Sequence, residues 1–222
     1  MREHTKAVIK QITPPILLRM AQSLAGRQRE KVGGEQKADY YDETFEADRS
    51  WSRHYTQSHY YFIWCVLVDR IVRAELTSVL DIGCGPGQVA AFLRDKGLKS
   101  YCGLDFSAKR VAQARAVCPE YRFVVADVFE TDVFSTFPYD AVISLEFLEH
   151  VERDLDVIRR VRPGARFLGT VPNFPWDSHV RHFRDADEVR GRYGEFFTDF
   201  RVDTFLSMKE GSMYFLMQGT RI

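Results

Sequence analysis

The sequence predicts an α/β fold: a mostly parallel sheet finished by an antiparallel strand pair, preceded by a helical N-terminal region. Three observations carry this. From Ser78 onward short apolar runs alternate with helical patterns, as βαβ units do. The first run opens into a glycine loop and then a helix, SVLDIGCGPGQVAAFLRDKG. The tail holds two strand-like runs, 196–206 and 212–221, joined by Lys209, Glu210 and Gly211, a link short enough for a hairpin.

Taken in order, residues 1–75 read as an N-terminal helical extension and cap, and 76–222 as the ligand-binding domain. Ile16, Leu17, Met20 and Leu24 recur at helical spacing behind Pro14 and Pro15, which suit a helix start. Lys6, Lys10, Arg19, Arg27, Arg29 and Lys31 make this segment basic. Two readings stand: a helix lying on a membrane surface or protein partner, or one docked on the domain or on a second copy in a homodimer. After Gly33 and Gly34, a stretch rich in Tyr, Phe and Trp reads as two helices; Tyr40, Tyr41, Trp51, His54, Tyr55, Tyr60 and Tyr61 are candidates for its core or for a substrate pocket. Strands are expected near 78–82, 100–105, 121–126, 139–145 and 165–171.

Composition narrows the function classes. With 222 residues, 45% of them apolar, the chain can bury a sizeable core. Its 31 basic and 31 acidic side chains cancel, so no global field draws it to nucleic acid or anionic lipid. Cys65, Cys84, Cys102 and Cys118 form no C-x-x-C pair, no signal peptide is evident, and no apolar run approaches the roughly 18 residues of a membrane span. Reduced thiols in a cytoplasmic protein are expected.

Gly83, Gly85 and Gly87 let the backbone turn sharply and approach a ligand, and the following helix offers N–H groups to an anion. The pattern also matches a dinucleotide fingerprint, which alone is weak. Three acids decide between them. Asp81 would repel a pyrophosphate but welcome an ammonium. Asp105 closes the second strand (YCGLDFS), placed to accept both hydroxyls of a ribose. Asp127 follows the third (FVVADVFE), where it can accept from an adenine amine. A ligand with ammonium, carboxylate, ribose and adenine in that order is S-adenosylmethionine.

The series DIGCGPG, GLDFS, ADV, YDAVISLE and RPGARF resembles the motifs of class I S-adenosylmethionine-dependent methyltransferases over about residues 77–222. That resemblance implies a Rossmann-like seven-stranded sheet with its last strand antiparallel, and a methyltransferase domain over 76–222. It implies that Gly83, Gly85 and Gly87 pass the methionine portion, that Asp81 holds its ammonium, and that Asp105, with Phe106 beside it, binds the ribose. Asp127 and Val128 would flank the adenine, and Gln88 and Glu146 would edge the cofactor.

Glu146, Glu149 and His150 follow the fourth strand at spacing E-x-x-E-H, expected on one helical face at the ligand rim. His179 and His182 follow the fifth strand. Two carboxylates and one or two imidazoles suit Mg²⁺ or Mn²⁺. The spacing is similar to that of ubiquinone-pathway O-methyltransferases and small-RNA 3′-end 2′-O-methyltransferases, which implies a divalent cation on Glu146, Glu149, His150 and His179 or His182. Three readings remain open: an ion site, metal-free acid/base catalysis by His150 or His179 with Glu149, and a structural turn. The helical cap resembles those covering small acceptors, including methyltransferases of surface-polysaccharide and specialised-metabolite pathways. The expected acceptor is a hydroxyl of a small molecule or glycan, a sugar or a phenol. The alternatives are an RNA 2′-hydroxyl, against which the neutral charge counts, and a non-catalytic cofactor-binding partner protein.

Overall fold

The computed structural model describes residues 33–207 and 210–222. The helix expected behind Pro14 and Pro15, with its membrane or partner contacts, lies outside the described residues.

Seven strands form one sheet: β1 (Ser78–Ile82), β2 (Ser100–Asp105), β3 (Arg122–Val125), β4 (Ala141–Leu145), β5 (Arg166–Pro172), β6 (Phe197–Leu206) and β7 (Met213–Arg221). Their order is β3-β2-β1-β4-β5-β7-β6. Strands β1 to β5 pair in parallel, and β7 runs antiparallel to both of its neighbours. The strands predicted near 78–82, 100–105, 121–126, 139–145 and 165–171 thus form within a few residues of their expected limits. The link between β6 and β7 is longer than three residues, running over 207–212, with the Ser207 amide donating to the Ser212 carbonyl.

The centre of the sheet is covered on both faces, which is why β1 and β4 are buried at successive positions rather than alternate ones. After a first helix, α1 (Ala38–Ala47), one face packs on α2 (Tyr61–Arg73), with α3 (Gln88–Asp95) and α4 (Ala108–Val117). Ile63, Leu67 and Ile71 recur every four residues on α2 and are fully buried against that face, so this helix belongs to the core. The other face packs on α5 (Val133–Thr136), α6 (Asp154–Arg160) and α7 (Ala186–Tyr193).

The first described helix, α1 (Ala38–Ala47), buries no residue. Polar contacts at the start of α4 hold it: Asp42 accepts from the Ser107 hydroxyl and the Lys109 amide, and Glu46 pairs with Lys109 at 2.6 Å. No helix among the described residues is long and apolar enough to cross a membrane. Strand order reverses between β1 and β4, so the crevice beyond their carboxyl ends is where such a sheet takes a ligand.

Candidate active site

A cavity of about 680 Å³ opens at that crevice, lined by the glycine loop, the ends of β2 and β4, the loop after β5, and residues of the N-terminal helices. Its first compartment is built around the loop after β1. Gly83, Gly85 and Gly87 all have positive φ, which a residue with a Cβ adopts only with strain. Their surroundings differ. A Cβ on Gly83 would lie 2.5 Å from the Phe147 ring and one on Gly87 2.9 Å from the Ala114 backbone, whereas one on Gly85 meets nothing within 4 Å. The first and last glycines therefore permit close packing, and the middle one leaves room for a ligand.

Asp105 sits at the end of β2 with each carboxylate oxygen held by a backbone amide, Gly85 N and Ser107 N, both at 2.9 Å. Burial pushes its carboxyl up, and the two amides oppose that. Asp81 is 2% exposed and accepts from the Tyr101 hydroxyl at 2.5 Å. Burial pushes its carboxyl up to about 7 against that hydrogen bond, and Asp105 raises it further. Exposed Asp127 accepts from the Phe129 amide at 2.8 Å, an Asx-turn contact that holds its carboxylate beside Val128 at the cavity wall. Gln88 donates to the Arg53 carbonyl at 2.8 Å, which ties the start of α3 to the link between α1 and α2. All of these side chains, with Phe106, line the cavity.

The second compartment lies beyond β4 and β5. Glu146 departs from the expected helical face: its φ is +50, and only a single 3₁₀ turn, Leu148–His150, follows. Its amide donates to Thr170 Oγ1 at 3.0 Å, its Oε1 is buried without a hydrogen-bond partner, and burial pushes its carboxyl up to about 8. Glu149 is fully buried behind the cavity wall, with neither side-chain oxygen hydrogen-bonded, and burial raises its carboxyl well above the usual range.

His150 and His179 line the cavity edge to face, their rings 4.7 Å apart. His150 Nδ1 lies 2.9 Å from the Ser178 carbonyl and His179 Nδ1 3.1 Å from the Phe174 carbonyl. A carbonyl only accepts, so each Nδ1 carries the proton and each Nε2 keeps its lone pair. Burial, and the other imidazole, hold His150 down at about 4; burial also lowers His179.

Glu149, His150 and His179 each offer one ligand atom, all within 4.8 Å of one another. Of the expected residues, Glu146 and His182 are outside this group: the left-handed turn at Glu146 takes it off the 3₁₀ turn that carries Glu149 and His150. A carboxyl without a partner and two imidazole lone pairs backed by carbonyls fit a divalent cation.

Of the aromatic residues expected over the site, Tyr40, Tyr41, Trp51 and Tyr60 line the cavity. Tyr55 instead stacks on Phe92 and donates to Asp95, Tyr61 packs on Phe92 too, and His54 is exposed beside Thr56. Trp64, Phe174 and Tyr214 line the cavity without having been singled out from the sequence. Tyr214, at the start of β7, lies 5.5 Å from Tyr60 and 5.6 Å from Phe174, a cluster assembled from three distant segments with no local signal.

A sheet of this order, with a glycine cradle and acids near the ends of β1 and β2, matches the Rossmann-like methyltransferase fold expected from the sequence. Residues 79–164 match the family described as "Methyltransferase domain". A segment of 109 residues is 34% identical to a ubiquinone biosynthesis O-methyltransferase of Pseudomonas paraeruginosa, covering 44% of this chain and 46% of that protein. A shorter one, 63 residues, is 41% identical to a trans-aconitate 2-methyltransferase of Enterobacter sp., covering 28% and 25%. The chain thus spans less than half the length of both relatives. Among solved structures, magnesium protoporphyrin IX methyltransferase from Synechocystis PCC 6803, with bound S-adenosylmethionine, shares the fold at a TM-score of 0.62 and 18% identity, covering 82% of this chain and 95% of that one.

Proposed function

We propose that the protein transfers the methyl group of S-adenosylmethionine to a hydroxyl of a small molecule or glycan, and that Glu149, His150 and His179 handle that hydroxyl. The observation that carries this is the meeting, in one cavity, of the acid-lined glycine cradle and two imidazoles whose unprotonated nitrogens lie beside a buried carboxyl. In this reading Asp81 takes the ammonium, Asp105 the ribose hydroxyls, and Asp127 and Val128 the adenine, while Gln88, Phe106 and Glu146 edge the cofactor.

Displacement at a sulfonium needs an aligned acceptor and somewhere for its proton to go. A neutral imidazole supplies the second. A proton taken by His150 Nε2 comes to rest on the nitrogen 3.9 Å from Glu149 Oε1, and the positive charge so formed would draw the raised Glu149 carboxyl toward its ionised form. A divalent cation held by the same three residues would lower the hydroxyl's own pKa. Two imidazoles and one carboxylate favour Mn²⁺ over Mg²⁺ among the two ions expected.

Charge speaks to the acceptor. Among the described residues Arg110 is the one Lys or Arg in the cavity wall, and its guanidinium lies 5.0 and 5.2 Å from the Tyr41 and Trp51 rings, on the helix that follows Asp105. That single cation is close enough to act on His150 but is shared with Asp105 and the two rings, which favours an uncharged sugar or phenol over a carboxylate such as trans-aconitate.

The test is release of S-adenosylhomocysteine with panels of phenols, sugars and carboxylic acids, for the wild type and for His150→Ala. Turnover on a hydroxyl acceptor should fall by about 10²-fold or more in the variant, with S-adenosylhomocysteine affinity kept. A chelator followed by Mn²⁺ then separates an ion from a bare base. Unchanged turnover in His150→Ala, or turnover on carboxylic acids alone, would sink the reading.

A further inference from the structure

Resting on that reading of the rim, we infer that Arg181 is a positioning residue that fixes the His150 and His179 imidazoles against each other. The two histidines come from separate segments, the turn after β4 and the loop after β5, and something must set the gap between them. Arg181 is two residues beyond His179, its side chain 14% exposed, and it reaches across to the other segment. Nη1 donates to the carbonyls of Leu148, at 2.6 Å, and Val151, and Nη2 donates to the carbonyl of Glu152 at 2.9 Å. Those three carbonyls bracket Glu149 and His150.

The backbone completes the clasp. The Val180 amide donates to the Glu149 carbonyl at 2.8 Å, the Arg181 amide donates to the same oxygen at 3.4 Å, and the Ser178 carbonyl accepts from His150. A guanidinium with its donors in a rigid planar fork suits this task, since it can satisfy several carbonyls at once where an ammonium presents one point.

The guanidinium is itself anchored. Asp154, fully buried at the start of α6, lies 3.3 Å from Nη1 and accepts two hydrogen bonds from Arg192, at 2.7 and 2.6 Å, and one from Tyr193 at 2.8 Å. Arg192 and Tyr193 belong to α7, so the position of Arg181 is referred to two helices packed on the sheet. Arg181 does not line the cavity, and its effect on chemistry would pass through the imidazoles.

The test compares Arg181→Met and Arg181→Lys with the wild type in the full chain. In ¹H–¹⁵N spectra of the imidazoles, wild-type His150 and His179 should both show the Nδ1–H tautomer. Arg181→Met should disturb both signatures and lower kcat by about tenfold or more, as loss of a supporting contact does. Affinity for S-adenosylhomocysteine, bound at the other end of the cavity, should stay within about twofold. Arg181→Lys, which keeps the charge without the fork, should fall between the two.

Wild-type imidazole signatures in Arg181→Met would overturn the inference. So would a parallel fall of melting temperature, S-adenosylhomocysteine affinity and turnover in both variants, because Arg181 would then only stabilise the domain. The tautomer readout needs neither acceptor nor turnover. Failure of the methyl-transfer reading would show separately, as a wild type that does not bind S-adenosylhomocysteine.

Discussion

The two compartments of the cavity are built on opposite principles. In the cradle the chain satisfies its own polar groups: both oxygens of Asp105 rest on backbone amides, Asp81 on Tyr101, and the Gly83 and Cys84 amides on the Leu104 carbonyl. At the rim the groups are left wanting. Glu149 keeps two side-chain oxygens and Glu146 one without hydrogen bonds, away from water. A buried polar atom without a partner costs about 1–3 kcal/mol, so the rim carries a cost that a substrate, proton or ion would offset. In the reading proposed above, the cradle is preorganised for recognition and the rim is held ready for chemistry.

The largest expected effect sharpens the cradle side of that contrast, because two of its glycines answer to different demands. Gly87→Ala combines a left-handed φ of +84 with a methyl pressed against the Ala114 backbone, and should cost about 2–4 kcal/mol of folding stability in urea titrations. Gly85→Ala incurs only the backbone penalty, about 1–2 kcal/mol, but its methyl enters the space left for the ligand and should weaken S-adenosylhomocysteine binding. Equal stability losses in the two would mean that Gly85 is a packing glycine as well.

Next in size is a comparison across the compartments. Asp105→Ala removes an acceptor of charge-assisted hydrogen bonds and releases the Gly85 and Ser107 amides it holds. Calorimetry should show S-adenosylhomocysteine affinity reduced by about 10- to 100-fold. Glu149→Gln, at the rim, should leave that affinity nearly unchanged. A similar loss in both would erase the division of labour.

That division also explains what the sequence shows and what it hides. The cradle is written locally: an apolar run, three glycines and an acid at each strand end are read within short windows, and the structure places Asp81, Asp105 and Asp127 at one cavity as expected. The E-x-x-E-H spacing was equally visible, but not the left-handed turn that takes Glu146 out of the group, since nothing in the residue type demands it. The loop after β5 offered His179 and His182 on equal terms. Its course is set by distant partners, with the Gly34 amide on the Asp177 carbonyl and Val180 on Glu149, so only the folded chain separates the two. Arg181 and the Tyr60, Phe174 and Tyr214 cluster escape a reading by motif for the same reason, being defined by what they reach across the fold.

The smallest effect concerns pH, and it follows from Asp81. Its carboxyl is raised from the ordinary aspartate value of 3.8 to about 7, chiefly by burial and further by Asp105. In the empty protein it is therefore protonated at mildly acidic pH, while in the unfolded chain it is ionised. The stability this contributes is fully present below 3.8 and is lost as pH rises through about 7. Ligand binding runs the other way, because only the ionised carboxylate pairs with an ammonium. Affinity for S-adenosylhomocysteine should rise with pH by at most about tenfold per unit and level off above about 7, with one proton released per ligand bound at the acidic end. Calorimetry in buffers of different ionisation enthalpy measures that proton directly. Asp81→Asn should make both profiles flat over this window; a slope that persists in the variant would assign the titration to Asp105, the other buried acid of the cradle, whose carboxyl burial also raises.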